Sequence, residues 1–92
     1  MNKADLIQEV AEVLPSKQAA GEAVDCVLRT IREALGRGER VSVSGFGSFR
    51  TEQRAARKAR NPRTGEEIEV QARRVPRFVP GEALKQAVDE AK

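Results

Sequence analysis

The sequence contains no histidine, tryptophan or tyrosine, a single cysteine and only three phenylalanines. Without an imidazole there is no ordinary general base near neutral pH, no serine–histidine pair and no histidine metal ligand. A lone thiol, Cys26, makes no structural zinc site, which takes four Cys or His ligands, and closes no intrachain disulfide. It falls beside Glu22, Glu33 and Arg37 rather than on an apolar stripe, and reads as a small filler without chemistry. The scattered Asp and Glu residues read as solvated helix faces. Enzymes are therefore excluded, and no cofactor, metal or small-molecule substrate is expected. Phe46, Phe49 and Phe78 are all expected in the core, so the stacking platforms of single-strand readers are missing. No run of eighteen apolar residues is present to span a membrane. The segment Met1–Asp5 carries an acid with no apolar stretch behind it, which argues against a signal peptide and for a cytoplasmic location.

What is abundant is positive charge, and it is concentrated. The net charge is +3 over 92 residues, a length that predicts one domain, 1–92, with a core small enough to need a partner subunit. Residues 1–49 carry six bases and seven acids, and residues 78–92 carry two bases and three acids. Between them, residues 50–77 carry nine bases (Arg50, Arg54, Arg57, Lys58, Arg60, Arg63, Arg73, Arg74, Arg77) against four acids. That segment has to be explained.

The hydrophobic periods divide the chain. Asn2 with Asp5 three residues on predicts an N-cap, and Leu6, Ile7, Val10, Val13 and Leu14 predict a helix over roughly 3–14. Pro15 ends it and Ser16 caps a second helix, whose stripe is Ala20, Ala23, Val24, Val27, Leu28, Ile31, Ala34 and Leu35. Gly36 and Gly38 stop that helix, with Arg37 at the negative end of its dipole. The period then falls to two: Val41 and Val43 alternate with polar residues, and Ser48–Thr51 resumes as a strand. Gly45-Phe46-Gly47 between them lacks the third glycine of a dinucleotide fingerprint and precedes a strand, so it reads as a sharp turn that sends Phe46 and Phe49 inward. Residues 53–75 read as a long hairpin turning at Asn61-Pro62-Arg63-Thr64-Gly65. A last helix starts near Gly81 with Ala83, Leu84, Ala87 and Val88 inward. The predicted class is α+β: a helical-hairpin base, a three-stranded antiparallel sheet, an extended β-ribbon arm and a short C-terminal helix.

The arm offers too little apolar surface to be buried on two faces, so it projects into solvent. Arginine forks suit phosphate oxygens and a narrow, negative minor groove, and Ala55, Ala56 and Ala59 let the two backbones lie close to a surface. Alternation puts Arg54, Lys58 and Arg60 on one face and Arg57 on the other, and a twisted ribbon reaches both walls of a groove. Nucleic-acid binding follows from this segment alone.

Met1-Asn2-Lys3, Gly45-Phe46-Gly47-Ser48-Phe49, Arg57-Lys58-Ala59-Arg60-Asn61-Pro62-Arg63-Thr64-Gly65, Val75-Pro76-Arg77-Phe78, Pro80-Gly81 and Ala83-Leu84-Lys85 together resemble the bacterial HU/IHF histone-like family. The resemblance runs the whole chain with every block in order. It implies an intertwined dimer that binds double-stranded DNA with little sequence preference, bending and compacting it in the bacterial nucleoid. It further implies that the arms enter the minor groove and that Pro62 wedges between base pairs. This family is itself a standard instance of such binding, so the wedge and the bend come from the resemblance and not from spacing. Residue by residue, Arg54, Arg57, Arg60, Asn61 and Pro62 lie on the arm, and Lys3 and Lys85 stand where body lysines meet flanking phosphates. Lys58, Arg50, Arg63, Arg73 and Arg74 complete the expected DNA-binding set. Ala59 stands where many members have glycine, which stiffens the arm before its tip, and Glu82 where many have lysine, which weakens the body contacts and places more of the affinity on the arms. A homodimer is expected. The alternatives are an IHF-like, sequence-selective subunit of a heterodimer, a general basic RNA-binding protein, and a structural oligomer whose arm touches acidic membranes.

Overall fold

Asn2 starts the first helix as the sequence predicts. Its side-chain oxygen accepts from the Asp5 amide at 3.1 Å, and the Asp5 carboxylate accepts from the Asn2 amide at 2.8 Å, a reciprocal capping box. The structure is a computed structural model that describes residues 1–90. Helix α1 spans Lys3–Val10, shorter than the expected 3–14. Beyond Val10 the amides of Glu12 and Val13 turn to carbonyls three residues back, Glu9 and Val10, at 3.2 and 3.0 Å. The Leu14 amide still donates to the Val10 carbonyl at 3.2 Å, and Pro15, which disfavours helical backbone at the residue before it, stops the chain there. Val13, expected on the apolar stripe, is left 84% exposed.

Helix α2 spans Lys17–Gly36, capped by Ser16, whose hydroxyl accepts from the Ala19 amide at 3.1 Å. It closes on Arg37, whose amide donates to the Glu33 and Ala34 carbonyls at 3.1 Å each. Helices α1 and α2 form one unit, from Met1 to Arg37, and the chain from Gly38 onward forms a second. In the first unit only Ala20 and Ala34 are fully buried, while Val27 and Leu28 on the predicted stripe stay exposed.

The second unit is built from strands β1 (Val41–Val43), β2 (Gly47–Arg54), β3 (Arg57–Arg60), β4 (Glu67–Val70), β5 (Arg73–Pro80) and helix α3 (Glu82–Glu90). β1, β2 and β5 form an antiparallel sheet with β2 central, and β3 and β4 pair in a second, two-stranded sheet. Pro76 and Pro80 fit in β5 because it is an edge strand, where a missing N–H can face away from the ladder. Their pairs with Gly47 and Thr51 are therefore of the non-hydrogen-bonded kind, in which facing side chains approach most closely. Phe49 and Phe78 form the same kind of pair, two residues along, and their ring centroids lie 4.8 Å apart. Phe46 joins them at 5.5 Å from Phe78.

The expectation that all three phenylalanines are buried is corrected here. Phe46 is 46% exposed and Phe78 39%, and only Phe49 is half-buried. On α3, Ala83, Ala87 and Val88 are exposed and only Leu84 is half-buried, against the expectation that all four turn inward. The reason is area: one chain of this length has too little surface of its own to cover these rings and the apolar face of α3. Leu84 and Val88 instead line an open groove with Pro80. No helix among the described residues is long and apolar enough to cross a membrane.

Candidate nucleic-acid interface

The long hairpin is made of both sheets in one unbroken register. β2 and β5 pair from Gly47↔Pro80 out to Arg54↔Arg73, and the pairing resumes at Arg57↔Val70 and runs to Arg60↔Glu67. Two residues are left out on each strand, Ala55–Ala56 and Gln71–Ala72, so the register crosses the gap without a shift. The strand predicted through Ile68, Val70 and Ala72 is thus interrupted at its end. Two unladdered residues on each side, three of the four alanine, give the ribbon a joint between its root and its tip.

The tip is closed by local chemistry. The Asn61 amide donates to the Glu66 carbonyl at 2.8 Å, which leaves Pro62-Arg63-Thr64-Gly65 as the loop. The Asn61 side chain accepts from the Arg63 amide at 2.9 Å, an Asx turn, and proline is favoured directly after the first residue of such a turn. Gly65 takes φ +74°, a conformation that a side chain disfavours, and its amide returns to the Asn61 carbonyl at 2.8 Å. Pro62 and Arg63 stand exposed at the outermost point of the ribbon.

Facing pairs share a side of an antiparallel ribbon, so the register sorts the charges. In the tip half, Lys58 and Arg60 share one face with Glu69 and Glu67. Arg57 lies on the other face with Ala59, Ile68 and Val70. That is the division alternation predicts. In the root half, Arg50 faces Arg77 and Arg54 faces Arg73, so four arginines occupy one face together with Glu52. Glu52 meets one of them, with its carboxylate 3.3 Å from the Arg77 guanidinium. Ser42 and Ser48 hydroxyls, 3.3 Å apart, floor the same face. The opposite face carries Phe49 and Phe78. Arg74 lies on that apolar side, across from Gln53, and is separated from Arg73 by the pleat.

Arg77 is the cation that sequence reasoning left out of the site. The signal was available: it is four residues from Arg73 in a strand of period two, which places both on one face. Among the described residues, no ion pair engages Arg54, Arg57, Lys58, Arg60 or Arg63. All five are exposed. The body lysines differ. Lys3 is ion-paired with Asp25, and the Lys85 ammonium lies 3.9 Å from the Glu82 carboxylate. Glu82 therefore partly neutralises Lys85 within the same helix turn.

Among known proteins, the family model described as bacterial DNA-binding protein matches residues 1–89. The DNA-binding protein HU of Geobacillus stearothermophilus is 55% identical over 89 residues, covering 96% of this chain and 99% of that one. The DNA-binding protein HU of Staphylococcus aureus (strain COL) is 53% identical with the same coverage. The HU–DNA cocrystal structure from Anabaena superposes with a TM-score of 0.89 at 42% identity, covering 96% of this chain and 97% of that one.

Proposed function

The chain belongs to the bacterial DNA-binding protein family, and from that premise we propose that it is an architectural protein of duplex DNA, acting as a dimer in the nucleoid. It binds through the phosphate backbone and the minor groove with little sequence preference, and bends and compacts the duplex. It performs no chemistry on its ligand. The observation that carries this reading is the facing of Arg50 with Arg77 and Arg54 with Arg73 on one side of the ribbon root. Like charges placed directly opposite repel, and a polyanion laid across them relieves that repulsion.

Each predicted residue takes a role on this reading. Arg50, Arg54, Arg73 and Arg77 hold phosphates at the root of the arm. Arg57, Lys58, Arg60, Asn61 and Arg63 follow the groove, with Arg74 meeting its second wall as the ribbon twists. Pro62 is the apolar wedge at the tip, and Lys3 and Lys85 touch the backbone from the body. The span 1–92 acts as a single DNA-binding domain, and a second identical chain covers Phe46, Phe78 and the Leu84–Val88 groove. Competition among duplex DNA, RNA and anionic vesicles at one salt concentration tests the reading. Duplex is expected to win, and preference for RNA or vesicles rejects it.

A further inference from the structure

The helical unit from Met1 to Arg37 carries five bases and six acids, yet its charges are not evenly spread. Lys3, Arg29 and Arg32 line one shallow cleft together with Asp25 and Leu28. Three of the five bases thus meet at one concave spot with a single acid. The helix period explains how: Asp25, Leu28, Arg29 and Arg32 fall at i, i+3, i+4 and i+7 of α2, which makes one stripe. Asp25 is paired to Lys3. Arg29 and Arg32, both exposed, take part in no ion pair among the described residues. An apolar wall and a concave floor concentrate the field of two such guanidinium groups.

We propose that Arg29 and Arg32 form a phosphate-binding site for the backbone of duplex DNA, carried by the helical unit and additional to the strands and the arm. The inference rests on the duplex reading above. Guanidinium forks are matched to phosphate oxygens, and both forks lie on one helix stripe, within the span of a single backbone segment. Asp25 is the opposing charge in the cleft. It is ion-paired with Lys3, so among the described residues the two arginines are the cations of the cleft that no acid engages, while its own carboxylate repels an incoming phosphate.

The test uses the full chain. Arg29→Gln with Arg32→Gln is expected to weaken duplex binding roughly 10- to 50-fold near 0.1 M salt and to flatten the log K–log salt slope by about two. Arg29→Lys with Arg32→Lys keeps the charge and restores most of that slope. Asp25→Asn is expected to tighten binding about threefold, since it removes a repelling charge. Melting temperatures of the variants are measured alongside, because two exposed substitutions should leave them unchanged. Duplex binding and slope unaltered in the double Gln variant overturn the site, as does weaker binding by Asp25→Asn. A parent that binds no duplex overturns this site and the architectural reading together, whereas a parent that binds while the variants match it overturns the site alone. The Nε–H resonances of Arg29 and Arg32 are then followed in the parent during titration with duplex and with inorganic phosphate. Shifts on duplex addition alone support a backbone site. Equal shifts at equal inorganic phosphate assign the cleft to free phosphate and overturn the duplex assignment.

Discussion

Arg54 lies directly across the ladder from Arg73, at the last pair before the hairpin loses its cross-strand pairing. Two cations in that position repel, beside the joint at Ala55–Ala56 and Gln71–Ala72. Replacing one should therefore stabilise the free protein and weaken the complex. Arg54→Gln is expected to gain about 0.5 kcal/mol, a rise in Tm of about 2–4 °C, while lowering duplex affinity several-fold. Calorimetry with and without duplex reads both quantities. A variant that loses stability in the free state would show that the facing pair is no liability.

Salt dependence counts the phosphates held. If about eight cations are engaged, log K against log salt falls with a slope of about −7. Arg57→Ala should flatten it by about one and weaken all duplex sequences alike. A slope that does not move places Arg57 in solvent.

Dimerisation, on the proposed reading, covers what one chain leaves open. Phe46 and Phe78 are partly open and Val88 is 70% exposed. Tm should climb with protein concentration, because association stabilises the folded state. Val88→Asp, which puts a charge into the groove beside Pro80 and Leu84, should abolish that dependence and yield a monomer mass. A concentration-independent melt of the parent sinks the idea.

Gly47 is fixed by crowding. A Cβ there would lie 2.6 Å from the Val79 carbonyl oxygen and 2.7 Å from the Phe78 ring. The oxygen belongs to the backbone and cannot swing away, so Gly47→Ala is expected to lower Tm by about 8 °C or more. An unchanged melt would mean that the strands part there at little cost.

Bending is separable from binding through Pro62. Pro62→Ala keeps every charge, so the salt slope should survive. End-to-end FRET on a duplex of about three helical turns should report a smaller bend, along with reduced preference for nicked over intact DNA. Equal bending by the variant reduces Pro62 to a turn residue.

Much of this was readable because it is local. Capping by Asn2 and Ser16, the turn at Asn61–Gly65, and the sorting of Arg57 from Lys58 and Arg60 depend on near neighbours and on strand period. The exposure of Phe46, Phe78 and Val88 is not legible in the sequence, for a different reason. Apolar pattern announces that a face needs covering without saying which chain supplies the cover. The stripe through Val13 and Leu14 predicts a longer α1 than Lys3–Val10, because the constraint Pro15 places on Leu14 acts backwards along the chain. Composition counts Arg73 and Arg74 together, and it takes the register to assign them to opposite faces.

The prolines of β5 carry a consequence for solubility. Arg74, Pro76, Phe78 and Pro80 are the β5 positions whose backbone nitrogens point outward from the sheet, and two of the four have no hydrogen to offer. The other outer strand, β1, is only three residues long. Both margins of this three-stranded sheet are therefore poor templates for a further strand, which blunts there the edge-to-edge route to cross-β fibrils. Chains that associate at this sheet are left to do so through its faces.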